Sequence, residues 1–336
     1  MKTFSFKNFL FNFFILLVVA LPLGIAAPAV AAGGSLLTGS LMSALPKNIT
    51  MMAIQKQIWT DKLMEGFYPK DDFLMASIDM TELVDFNTIN LAEAGVDPAV
   101  LIDNTTYPIN AATRSDTPLT LALKTLDTES TIVRNIEKKE LSYNKMESIV
   151  RSHRNALRKG TVQLAAHFWA PQSDGTYTPV AAATGALVGG YKRLKFEDLL
   201  AIRTKLIALD IDIGRMNIML NPRHEEDLMI QDMALYKNMI AAGRIWGIKY
   251  FVNSQTPRFN ATTGAKVAFG AAPAGTDTIT STLWHSDEVM KADGTVDVFA
   301  KYNDPDQKGD VINFQKRFIA LPLRTKCLGA IYSPLS

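Results

Sequence analysis

Cysteine is almost missing from this chain: of 336 residues only Cys327 carries a thiol. That excludes an intramolecular disulfide framework and any cysteine-based metal cluster. Histidine is scarce too, and His153, His167, His224 and His285 show no spacing that would gather them on one metal ion. The sequence has no GxxxxGK[ST] loop, no GxGxxG after a strand and no GxSxG elbow, so the commonest nucleotide and nucleophile signatures are missing. Acidic residues are absent from the first 51 positions, where Lys2, Lys7 and Lys47 are the only charges. Beyond that stretch basic and acidic residues nearly cancel, and the whole chain carries a formal charge of +2. Such a balance gives no broad field for an acidic partner, so any nucleic-acid contact is local. No internal repeat is present.

Two stretches approach known site motifs and then depart from them. His224-Glu225-Glu226-Asp227 begins like a zinc-protease helix, but Leu228 stands where the second histidine belongs. Acids in the first turn of a helix explain it better. Asp304-Pro305-Asp306-Gln307-Lys308-Gly309-Asp310 has the look of a calcium loop, yet Lys308 occupies a ligand position and Gln315 replaces the bidentate glutamate. A turn is the expected structure. Cys327, in an apolar terminal strand, reads as a buried structural thiol. Asn48, Asn104 and Asn260 begin Asn-x-Thr sequons, which matter only in a eukaryotic secretory pathway. The expectation is therefore a chain that is not an enzyme, with no catalytic, cofactor-binding or metal residue.

What the chain does have is an apolar content of 48% against 20% charged residues, an ordinary globular make-up with length for one large domain or two medium ones. Its longest helical pattern runs from Glu137 to Trp169. Met146, Ile149, Val150, His153, Leu157, Thr161, Leu164, Ala165 and Phe168 recur at steps of three and four on one stripe. Lys138, Lys139, Lys145, Arg151, Arg154, Arg158 and Lys159 take much of the other surface. A solvated face explains such a charge pattern; a spine with its basic side turned to neighbours or nucleic acid is the sharper alternative.

Around this helix the chain reads in order as follows. Residues 53–84 carry short amphipathic signals around Trp59, Leu63 and Met64, broken by Pro69 and Asp71-Asp72, as in an arm lying across something larger. Within 86–135, the alternation of Asn87–Leu91 and the run Leu119–Val133 predict two strand-like limbs joined by a long polar segment, an extended hairpin with little core of its own. Pro171–Gly190 reads as a connector. Residues 194–253 predict an α/β unit: helix Phe196–Ala208, strand Asn217–Leu220, helix Arg223–Ile240, strand Ile248–Val252. Thr256–Asp277 reads as loop. Val296 to Ala300, Val311 to Phe314 and Phe318 to Leu321 alternate as antiparallel strands returning to a sheet against the long helix.

This order of elements resembles the major capsid protein of tailed bacteriophages, the Hong Kong 97-type fold. Short phrases are similar as well: Met52–Trp59 and Glu137–Lys145 resemble the chain start and spine-helix start of capsid proteins from Bacteroidetes phages and prophages. Gly243–Ile248 and Phe318–Leu323 are also similar to capsid subunits. The resemblance covers roughly residues 52–336. It implies an α+β fold with an N-terminal arm (52–84), an extended loop with the first peripheral strands (85–135), and a spine helix and connector (136–189). An axial domain (190–295) and returning peripheral strands (296–336) would complete it. It further implies self-assembly through pentamers and hexamers into an icosahedral shell around double-stranded DNA. The implied partners are scaffolding protein, portal and maturation protease, with weak, non-specific DNA contact and no small-molecule substrate.

Residues 1–51 depart from that pattern. Lys2 and Lys7 precede an apolar run from Phe9 to Ile25 and the small-x-small triplet Ala29-Val30-Ala31, so residues 1–32 have the make-up of an export signal, followed by a Gly/Ser-rich linker. Export conflicts with a virion subunit assembled in the host cytoplasm. A true start at Met51 or Met52, removal of the leader during maturation, or genuine export would each account for it. Two alternatives stay open: an encapsulin-like compartment shell, and an exported surface or periplasmic binding protein. An exported hydrolase is the weakest reading, because no nucleophile is paired with a base.

Overall fold

A computed structural model describes residues 60–64, 67, 72–85, 87–93, 103–105, 117–134 and 145–335. The chain divides into two compact units, 1–61 and 62–336, and everything below concerns the second. The leader, the phrase Met52–Trp59, most of the hairpin tip and residues 135–144 lie outside the described residues.

The first strands are short: β1 (Ile78–Asp79), β2 (Val84–Asp85), β3 (Thr88–Glu93), β4 (Thr117–Ala122), β5 (Lys124–Asp127) and β6 (Thr131–Arg134). Strands β3 and β4 pair antiparallel from Thr88↔Ala122 to Glu93↔Thr117, and β2 joins them in a three-stranded sheet. These are the two limbs of the expected hairpin. The run Leu119–Val133 is nevertheless three strands, because β5 and β6 turn away to pair with a later strand. The hairpin base also has a small core, with Ile89 and Leu123 packed on Ala292 and Ile319.

Helix α1 (Lys145–Phe168) follows, about 36 Å long at 1.5 Å per residue. Of the predicted stripe, Val150, His153, Leu157, Thr161, Leu164 and Ala165 are buried. Its C-terminal half is buried more broadly, since Val162, Ala166 and Trp169 are covered too. The stretch read as a connector instead holds β7 (Val180–Ala182) and β8 (Leu187–Val188), which forms a two-stranded ribbon with β9 (Tyr191–Lys192). Small alanines suit β7 because it packs at the edge of a sheet, parallel to the last strand of the chain.

Helix α2 (Phe196–Ile207), β10 (Met216–Leu220), α3 (Pro222–Gln231) and α4 (Met233–Ala242) come next. One helix was expected where α3 and α4 stand. Asp232, at φ −150° and ψ 99°, ends the first; its carboxylate accepts from the amides of Ala234 and Leu235 and starts the second. Gly243, in the left-handed region at φ 64°, closes α4. Strands β11 (Arg244–Ile245) and β12 (Ile248–Val252) are joined by Trp246-Gly247, both at positive φ, the two-residue turn that suits strand twist. The phrase Gly243–Ile248 is thus a helix stop followed by a hairpin.

Strands β13 (Phe259–Asn260) and β14 (Asp277–Thr278) pair inside the stretch read as loop. The chain ends with β15 (Thr280–His285), β16 (Val289–Asp304), β17 (Gly309–Pro322) and β18 (Leu328–Tyr332). Strands β16 and β17 form one long hairpin flanked by β1 on one edge and by β5 and β6 on the other. This sheet packs on α1, as expected. Strand β18 instead enters a second, six-stranded sheet of order β11-β12-β10-β15-β18-β7. There β10 is buried on both faces. Met216, Ile218 and Leu220 meet α2, α3 and α4 on one side, while Met219 meets Trp284 and the end of α1 on the other.

Candidate assembly surfaces

The segment before the hairpin is fastened to the body by aromatic and ionic contacts. Asp72 caps a short 3-10 turn, accepting from the Leu74 amide, and pairs with Arg158 at 3.2 Å. Phe73 meets Trp169 and Trp284 edge-on at 5.7 and 5.9 Å. The Trp284 indole donates to the Ala76 carbonyl at 2.9 Å, and the Trp169 indole donates to Met290 O at 3.2 Å. Strand β1 then runs parallel beside β16, with Asp79 on Lys291 at 3.1 Å. Nearby Lys316 is fully buried on Asp293 at 2.6 Å, under the Phe67 ring at 3.8 Å. Burial pulls its pKa down, and Asp293 works against that to favour the ammonium.

A cleft of about 660 Å³ lies between the end of α1 and the segments 254–258 and 267–270. Its principal polar groups are bound to one another. Gln163 donates to Gln255 at 2.5 Å, Asn221 donates to Thr256 at 2.8 Å, and Arg258 pairs with Asp277 at 2.6 Å. On its rim the Lys266 ammonium donates to the carbonyls of His167 and Ala170 at 2.9 and 2.7 Å, neutralising the C-terminal end of α1. Burial pulls its pKa down to about 8, and those two carbonyls favour the cation. Burial, with Lys266 and Lys124 nearby, lowers His167 to about 4. Nucleophile, base and oxyanion donor do not converge here.

The near-motifs resolve as turns and core. His224 is fully buried near the start of α3, 2.7 Å from Ser281 Oγ through Nδ1 and 2.9 Å from Ser333 Oγ through Nε2. Glu225 stands in the first turn of α3 and Asp227 receives the Leu194 amide, so the helix-start reading holds. Asp304–Asp310 is the β16–β17 turn, where Asp304 pairs with Lys301 and Asp310 accepts from the Asn303 amide. Among the described residues no cluster of histidines, cysteines and carboxylates could hold a metal. Cys327 sits just before β18, not in it, half-buried at φ 58°; burial raises its thiol. Asn260 spends its carbonyl on the amides of Thr262 and Thr263. Asn104 is described within 103–105, and Asn48 lies outside the described residues. Of the basic helix residues, Arg158 is used by Asp72, while Arg151 and Lys159 are exposed.

Large apolar side chains instead lie open to solvent: Leu187 and Val188 on β8, Leu200 and Ile207 on α2, Trp246 at the β11–β12 turn, and Phe299 on β16. No helix of the described residues is long and apolar enough to cross a membrane.

The sequence matches no known family and no curated protein. Solved structures do match. The capsid of a native GTA particle is similar with a TM-score of 0.57 at 9% identity, over 77% of this chain and 89% of that one. The capsid of Ralstonia phage GP4 gives 0.55 at 9% identity over 77% and 87%, and that of cyanophage P-SCSP1u gives 0.54 at 13% over 76% and 86%. A virus-like particle from Pyrococcus furiosus matches at 0.50 and 10% identity over 82% and 96%. With its α+β make-up, long helix, β3–β4 hairpin and two larger sheets, this chain has the fold of phage capsid subunits, the Hong Kong 97-type fold.

Proposed function

We propose that this chain is the major capsid protein of a tailed bacteriophage or prophage and assembles through pentamers and hexamers into an icosahedral shell around double-stranded DNA. The observation that carries this reading is similarity to capsid subunits over most of both chains, at 9–13% identity in the three phage-like cases described. The geometry is compatible with a structural role: exposed apolar side chains, and a β3–β4 hairpin paired from Thr88↔Ala122 to Glu93↔Thr117. In this reading residues 52–84 are the arm, 85–135 the extended loop, 136–189 and 296–336 the peripheral domain and 190–295 the axial domain. Scaffolding protein, portal and maturation protease act during assembly in the host cytoplasm, and the mature location is the virion. DNA contact is weak and backbone-directed, through local cations on a near-neutral chain.

The match to the Pyrococcus furiosus virus-like particle favours a second reading, a compartment shell, with a lower TM-score behind it. Particles purified from producing cells and treated with nuclease separate the two. Protected double-stranded DNA inside them is the expected result. Particles filled with a single protein and no DNA would support the compartment, and recovery of the chain only as an envelope-associated monomer would contradict both.

A further inference from the structure

We propose that a slot between α1 and the edge of β5 receives the β8–β9 ribbon of a second copy of this chain. The slot has a volume of about 550 Å³. One wall is α1, which presents Ser152, Ala156 and Gly160, each one turn from the next, so a neighbouring backbone can come close. The other wall is the consecutive run Thr125 to Asp127 of β5, continued past the strand by Thr128, Glu129 and Thr131. Side chains alternate along a strand, so an unbroken run means that the edge of β5, rather than one of its faces, borders the slot.

That edge is open. Strand β5 pairs with β17 and with no other strand among the described residues. The Thr128 amide donates to Phe314 O at 2.9 Å. Alternation along an antiparallel strand then turns the N–H and C=O groups of Asp127 and Thr125 away from β17, toward the open edge. His153 supplies an independent sign of a missing partner. It lines the slot at 6% exposure, its ring against Phe314 at 5.0 Å, and its buried Nε2 has no hydrogen-bond partner. A buried polar atom left in that state is costly.

The occupant follows from charge and shape. Among the described residues, the ionisable groups on the slot walls apart from the His153 imidazole are the acids Asp127, which accepts from Gln315 Nε2 at 2.7 Å, and Glu129, both exposed. The β8–β9 ribbon is their complement. No acid occurs from Gly175 to Phe196, while Lys192 lies on β9 and Arg223 stacks on Tyr191 at 4.0 Å. Leu187 and Val188 are 55% and 40% exposed, and among the described residues the outer edge of β8 pairs with no strand, whereas β9 gives its Lys192 amide to Pro334 O at 2.8 Å. Such a ribbon is marginal alone and gains from adding a strand to a neighbour. Gly189 and Gly190, at φ 62° and 87°, make its tip narrow enough to enter. None of its residues lines the slot of its own chain, so the contact is between copies and heterologous, the kind that propagates around a ring.

The inference rests on the shell reading, and one experiment tests both separately. The full chain carrying Cys327→Ser, Glu129→Cys and Val188→Cys is expressed, and particles are isolated and mildly oxidised. A ladder of covalently linked copies is expected on a non-reducing gel, with none from either single-cysteine control. In parallel, Asp127→Lys with Glu129→Lys should lower particle yield roughly tenfold or more, and Lys192→Glu with Arg223→Glu should restore it. Intact particles with no ladder and no loss from the lysine pair would overturn the slot while leaving the shell. Absence of particles from the unsubstituted chain would take down the shell reading, and the slot with it.

Discussion

His224 illustrates how single residues hold this fold. Its imidazole joins the start of α3 to β15 and to the C-terminal segment through two serine hydroxyls, partners 57 and 109 positions away. Burial keeps it neutral and lowers its pKa to about 4, whereas an unfolded chain protonates the same group near 6.5. Stability is untouched by this group above about pH 7. It falls as the pH drops from about 6.5 toward 4, by up to about 1.4 kcal/mol per unit, because only the unfolded state binds the proton there. His224→Gln should flatten that window: urea midpoints measured from pH 7 to 4.5 should fall less steeply than in the parent chain. Equal slopes would show that the buried imidazole does not set the acid limit. No reading of HEED as a motif could find this role, since both partners are distant hydroxyls. Lys316 was equally hidden: only the paired register of β16 and β17 places it on Asp293 under Phe67.

Elements were legible where one period dominates. The stripe on α1 is buried as its three-and-four spacing predicts, and β16 alternates from Val298 to Asn303 and β17 from Val311 to Phe318. Strand β15 was not legible. Its sequence Thr-Ser-Thr-Leu-Trp-His is half hydroxyl, and it is buried from Thr280 to Trp284 because its neighbours β10 and β18 cover both edges. The break at Asp232 was missed because its capping role competes with a helical period that runs on through α4. Close approach between elements also makes one glycine obligatory. A Cβ on Gly309 would lie 2.3 Å from the Val133 carbonyl, where β17 pairs with β6. Gly309→Ala should therefore cost about 1–3 kcal/mol through a forced shift of the ladder. Gly275→Ala, with open space around its Cβ, is the control expected to leave the melting temperature within a degree or so of the parent. Equal melting temperatures for the two variants would mean that β6 is not held against β17 as described.

At the scale of the molecule, the order hairpin, helix, α/β unit and returning strands could be read from the sequence, and the chain shares a fold found at 9–13% identity in phage capsids. Order survives such divergence because each element needs only its hydrophobic period, while the contacts that finish the fold join residues a hundred or more positions apart. The slot between α1 and β5 depends on such long-range placement, and so did the split of the last strands between two sheets. The central claim is self-assembly. Its most direct measurement is on the purified full chain and on a form beginning at Met52, sized by light scattering and imaged by negative-stain electron microscopy. Closed shells, or pentamers and hexamers, with residues 94–116 cut by protease only in the unassembled fraction, are the predicted result. A monodisperse monomer under all assembly conditions, with 94–116 already protected, would contradict it.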